Sequence, residues 1–195
     1  MPRPRSTPRL VISCHADTGF KGHRLRLDRS GLFYGHLDNF VGVYAVMKAY
    51  FSARLDRPHV RIELTHGEET DMAGALEVLR TLRPADVVIV VDVTGTPTEA
   101  DIVIEKCRNA GLRRFIRKAL AGLSFDLYTG CPDPVSDLDE SDVYRQRCKQ
   151  VLFLGIPCWG GDYNRGRVYC RPASIDTAAE ALCRIAEQFG SLSVG

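Results

Sequence analysis

Short β-branched runs alternate with amphipathic stretches along the first half of the chain: RLVISC, NFVGVYAVMKAYFSARL, HVRIEL, MAGALEVLRTL and DVVIVVDV. A run such as DVVIVVDV is apolar on both strand faces, which is stable only where helices cover both sides of the sheet. The alternation therefore predicts an α/β chain with a mostly parallel central sheet flanked by helices. HRLRLDRSGLFYG interrupts it as a small hairpin turning at Arg29, Ser30 and Gly31. The second half continues with a strand at DIVIEKC, a basic helix at GLRRFIRKALAGL and a strand-like FDLYTG. An acidic turn DPVSDLDESD, a strand VLFLGIPC, a Gly-rich loop WGGDYNRG and a helix IDTAAEALCRIAEQF follow.

A chain of 195 residues, 45% hydrophobic, fills one core and is too short for two ordinary domains. Residues 10–195 are expected to form one domain, behind a flexible Pro-rich basic arm, residues 1–9. Acids and bases nearly balance, for a net charge of +2, and the basic residues are scattered. That pattern offers no nucleic-acid surface and favours a small-molecule or peptide partner. No stretch could span a bilayer as a helix, and the apolar run after the basic start is too short for a signal peptide. Seven cysteines, an odd number without a CxxC pair, fit reduced thiols. A cytoplasmic location is the expectation.

In an open α/β sheet, ligands bind beyond the carboxyl ends of the strands. The polar residues expected there are His15 and Asp17 after the first strand, Asp38 before the first long helix, Glu68 and Glu69 after HVRIEL, and Asp92 in DVVIVVDV. One imidazole and several carboxylates at one edge repel unless a cation joins them, and Zn²⁺ uses these ligand types. Adjacent glutamates on extended backbone point to opposite sides, so one can hold a metal while the other handles a proton. Other readings stay open. Glu68 and Glu69 could complement the dipole of the following helix, Asp38 could be a helix N-cap, and Asp92 could be a turn residue.

HADTG, GLFYGHLDNFVGVYAVMKAY, THGEETDMAGA and DVVIVVDV resemble, in order and spacing over residues 10 to 95, the successive metal-site motifs of the co-catalytic zinc exopeptidase superfamily. LGIPCWGGDYNRGRVYCRP resembles the strand and loop leading to that superfamily's last ligand. The resemblance implies a phosphorylase/hydrolase-like fold and one or two zinc ions. It implies that His15 and Asp92 hold one metal, Glu69 a second, and Asp38 both. It also implies Glu68 as general base and Asp17 as the carboxylate orienting His15. The activity implied is aminopeptidase-like cleavage of a terminal peptide or amide bond by a metal-activated water, on a peptide or an N-acyl or amide small molecule.

Two departures accompany it. Cys170 stands in RVYCRP where the family's last ligand is a histidine; a thiolate can bind zinc, a small buried thiol is the other reading, and Asp162 is an alternative ligand. The match also runs without the inserted lid or dimerisation domain of many relatives, so His36, Tyr163, Asn164 and Arg165 are expected to substitute locally. A second subunit could cover the site in a homo-oligomer. The rival function is a metal-binding, catalytically degenerate domain with an interaction or regulatory role.

Overall fold

The computed structural model describes residues 7–22 and 24–192. Four parallel strands form the centre in the order β4 (Val60–Thr65), β1 (Leu10–His15), β5 (Val87–Thr94), β8 (Gln150–Trp159). Beyond the end of β8 an antiparallel extension adds β9 (Val168–Cys170), β3 (Phe33–Gly35) and β2 (Leu25–Leu27). β6 (Ile102–Glu105) runs antiparallel to the middle of β8 and carries β7 (Phe125–Leu127) parallel on its outer edge. The expected α/β architecture is present, with antiparallel strands on one side of a parallel centre.

The period-2 alternation of β1 and β5 assigns the faces. Leu10, Ile12, Cys14, Val87, Ile89, Val91 and Val93 enter a core shared with α1 (Phe40–Phe51), α3 (Ala110–Ala119) and α5 (Pro172–Gln188). Val11, Val88 and Val90 meet α2 (Ala73–Thr81) and α4 (Glu140–Tyr144) on the other side. Every residue of β5 is buried, as a strand covered on both faces must be.

The hairpin turns where expected, with Gly31 at φ +82°. The acidic turn conceals the five-residue α4, and α5 starts before IDTAAEAL because Pro172 opens it. Residues 1–6 of the expected arm lie outside the described residues; of its remainder, the Arg9 backbone N–H and guanidinium both donate to Asp86. No helix among the described residues is long and apolar enough to cross a membrane.

Candidate metal centre

β1, β4 and β5 are parallel neighbours, and in such a sheet ligands bind beyond the carboxyl ends of the strands. His15 ends β1 with its side chain buried, on the face opposite Cys14, which excludes a Cys14–His15 pair. Asp38 precedes α1, Glu68 and Glu69 lie in the loop between β4 and α2, and Asp92 is near the end of β5.

Folding brings the ligand atoms of His15, Asp38 and Glu69 within 4.8 Å of one another. His15 Nε2 is 3.1 Å from Asp38 Oδ1 and 3.2 Å from Asp92 Oδ2, while Nδ1 faces Asp17 Oδ1 at 3.5 Å. The two ring nitrogens are thus divided between the centre and an orienting carboxylate. These are ion-pair distances: among the described residues Asp38 Oδ1, Asp17 Oδ1 and His15 Nδ1 are buried and make no hydrogen bond of good geometry. Orphaned buried oxygens around an imidazole and several carboxylates suit a divalent cation, and the donor set fits zinc.

The charges act strongly on one another. Burial disfavours an imidazolium and is the largest single influence on His15, yet Asp92 and Asp38 outweigh it and push the ring up to about 12. Burial and then the Asp92 charge push Glu68 up to about 8. Glu69 is raised by burial and by Asp38, and Asp92 by burial, with His15 pulling it back.

Local structure explains how these side chains are free to meet. Asn39, not Asp38, caps α1: its Oδ1 accepts from the Gly42 N–H at 3.1 Å and its Nδ2 donates to the Val91 carbonyl at 2.9 Å. The cap needs a glycine at 42, because a Cβ there would lie 2.0 Å from Asn39 Oδ1. The Asp38–Asn39 peptide is cis. Glu68 and Glu69 are not in the first turn of α2, which begins at Ala73 and has no acidic residue there. The Gly19 N–H donates to Glu69, and a Cβ on Gly19 would sit 3.0 Å from its Oε2.

Cys170 is separate from the triad: it is fully buried opposite Cys158 on β8, and its thiol donates to the Arg171 carbonyl at 3.4 Å. Asp162 accepts from the Asn164 N–H at 2.9 Å and pairs with Arg165, whose side chain is exposed. Tyr163 and Asn164 line the cavity that contains Asp38, Glu68 and Asp92; His36 instead stacks on Phe20, centroids 4.0 Å apart.

Sequence reasoning missed the far wall of this cavity, formed by Glu105, Asp133 and Asp139. Asp133 is a latch, accepting from the Tyr163 hydroxyl and the Gly95 N–H at 2.7 Å each. Asp139 caps α4 and pairs with the buried Lys106 at 2.8 Å. Glu105 ends DIVIE, so the strand-end criterion was available for it. Its strand runs against β8, however, and only pairing opposite Phe153 brings it here.

Solved structures of similar fold are aminopeptidases. A TET aminopeptidase from a marine-sediment Thaumarchaeota archaeon superposes with a TM-score of 0.71 at 13% identity, over 88% of this chain and 55% of that one. The PhTET1-12s dodecamer gives 0.67 at 16% identity, over 84% and 53%. An M18-family aminopeptidase from Thermotoga maritima gives 0.63 at 14%, over 83% and 48%. No protein-family model and no curated protein matches the chain. This chain therefore has the α/β fold of the M18 and TET aminopeptidases and spans about half the length of those structures.

Proposed function

We propose that the chain is a zinc-dependent hydrolase, aminopeptidase-like in cleaving a terminal peptide or amide bond. The observation that carries this is the convergence of His15, Asp38 and Glu69 within 4.8 Å, with Asp92 and Glu68 on the adjoining cavity. His15 and Asp92 would hold one ion, Glu69 a second, and Asp38 both. Zinc bound there supplies positive charge that polarises a carbonyl and acidifies water. Asp17 holds the His15 ring from behind, so that Nε2 stays turned to the centre. Glu68, half-buried on the cavity wall, takes the proton of the attacking water on a carboxylate oxygen and returns it to the leaving nitrogen. Tyr163 is committed to Asp133, which leaves Asn164 as the other residue of the Gly-rich loop that lines the cavity.

The partners proposed are a peptide or an N-acyl or amide small molecule, and further copies of the chain, the PhTET1-12s structure of like fold being a dodecamer. The proposed location is cytoplasmic. The burial of Cys170 against Cys158 and its bond to the Arg171 carbonyl favour one alternative, a domain that binds metal without turnover.

Elemental analysis of protein purified without chelator, as wild type and as His15→Ala, tests the site. One or two zinc equivalents in wild type, lost in the variant, are expected. No zinc even after supplementation would overturn the metal reading. Zinc without turnover of terminal-residue amides would leave the non-catalytic alternative.

A further inference from the structure

The sheet ends at β4, and among the described residues no strand pairs with the far side of it. β1 takes the carbonyls of the odd-numbered residues: the Leu10 N–H donates to the His59 carbonyl and the Ala16 N–H to the Thr65 carbonyl, both at 2.9 Å. The N–H and C=O groups of Ile62 and Leu64, and the C=O of Val60, therefore point outward. The Val60 N–H turns back to the Arg57 carbonyl at 2.9 Å. Free strand edges are usually kept short or broken by proline or a bulge. The outer strands β2 and β7 have three residues each, but β4 has six, in unbroken register with β1 and without proline.

This edge is complementary to itself. Residues 60–64 read apolar, cation, apolar, anion, apolar. Laid antiparallel on a second copy with Ile62 facing the partner's Ile62, Arg61 lies opposite the partner's Glu63 and Val60 opposite the partner's Leu64. Val60, Ile62 and Leu64 then occupy the hydrogen-bonded positions, and Arg61 and Glu63 the non-hydrogen-bonded ones, where side chains approach closest. Within one chain Arg61 already pairs with Glu63 and donates to the Thr81 hydroxyl of α2 at 2.7 Å, so the two charges stand together on one face. Sliding by two residues sets Arg61 against the partner's Arg61 in one direction, or Glu63 against the partner's Glu63 in the other. Sliding by one turns the apolar row to the wrong face. Charge and pattern thus select a single register. Leu64 is 48% exposed, on the face where Val60 and Ile62 pack on the core, and this pairing covers it.

We propose that β4 pairs with β4 of a second copy across a two-fold axis at Ile62, joining two subunits in one continuous sheet. This rests on the self-association proposed above and names its surface; the hydrolase chemistry is not needed for it. The same strand meets itself, so the contact closes at two copies.

The test is sedimentation velocity of the full chain as wild type, as Arg61→Glu, as Glu63→Arg, as the double variant, and as a mixture of the two single variants. Wild type is expected to form dimers. Each single variant sets like charges opposite one another twice per dimer and should associate at least about tenfold more weakly. The double variant and the mixture both bring opposite charges together again, and both should restore the dimer. In wild type, amide exchange at Ile62 and Leu64 should slow as concentration rises. A wild type that stays monomeric at every concentration overturns the self-association and the β4 pairing together. An oligomer that the single variants leave intact overturns only the β4 pairing. Weakening that neither the double variant nor the mixture reverses overturns it too. The exchange measurement uses wild type alone, so it stands even if a variant does not fold. Exchange that does not change with concentration overturns the proposal, whether it is fast throughout or already slow because a segment of the same chain covers the edge.

Discussion

At the scale of single residues, adjacent side chains divide the work. Glu68 faces the cavity with Asp38 and Asp92, while Glu69 joins His15 and Asp38 in the triad. Glu68→Gln is therefore expected to keep its zinc and lose at least about 10²-fold in kcat, the usual share of a general base. Retained turnover would remove Glu68 from that role. Asp38 and Asn39 divide labour in the same way, one a carboxylate of the centre and the other the cap of α1. Asn39→Ala should lower stability by about 2 kcal/mol through loss of the cap and of the bond to the Val91 carbonyl. Gly42→Ala should cost a similar amount by displacing that cap. Urea unfolding measures both, and unchanged midpoints would contradict the cap. His15, Asp17, Asp38, Glu68, Glu69 and Asp92 could be named from the sequence because each lies at the end of a patterned segment. Whether Asp38 or Asn39 caps the helix could not, because both are good caps and only backbone geometry selects one.

At the scale of elements, the segment from Cys131 to Tyr144 walls the cavity, and it is anchored by one buried cation. Lys106, at φ +53° just past β6, places its ammonium 2.8 Å from Asp139 and 2.7 Å from Asp142, and donates to the Asp137 carbonyl. Lys106→Met would strand Asp139 without its partner, and a loss of about 3 kcal/mol is expected, at the lower end for a broken buried pair because Asp142 is part-exposed. Limited proteolysis should then cut within residues 131–142 before any other site. Cleavage elsewhere first would show that the segment is held by other contacts. This wall was legible only as an acidic turn. A five-residue helix has too few positions to show a period, and a lysine paired with distant aspartates leaves no local pattern.

At the scale of the whole molecule, Asp86 joins the start of β1 to the turn before β5. It accepts from the Arg9 guanidinium at 2.6 Å and from the Arg83 N–H at 2.9 Å. Burial alone would raise this carboxyl; the Arg9 guanidinium and the Arg83 and Arg9 N–H groups together hold it below the usual aspartate range. A depressed folded-state pKa contributes stability that is present above the ordinary aspartate value of about 3.9 and disappears as pH falls through the folded value. Urea midpoints should therefore drop below about pH 4 in wild type and drop less in Asp86→Asn. Parallel curves for the two proteins would show that other carboxylates govern acid unfolding.

The alternation of strand and helix patterns and the residue types at the segment ends are local properties, and the sequence by itself determined them. The α/β class, the hairpin at Gly31 and the acidic strand-end set follow, because period and turn chemistry act over a few residues. Strand order, the antiparallel entry of β6 and the seating of Cys170 against Cys158 depend on partners far along the chain. Only the tertiary structure could decide which strand pairs with which. That pairing brings Glu105 from β6 to a cavity whose other carboxylates come from β5 and from the loops after β3, β4 and β7.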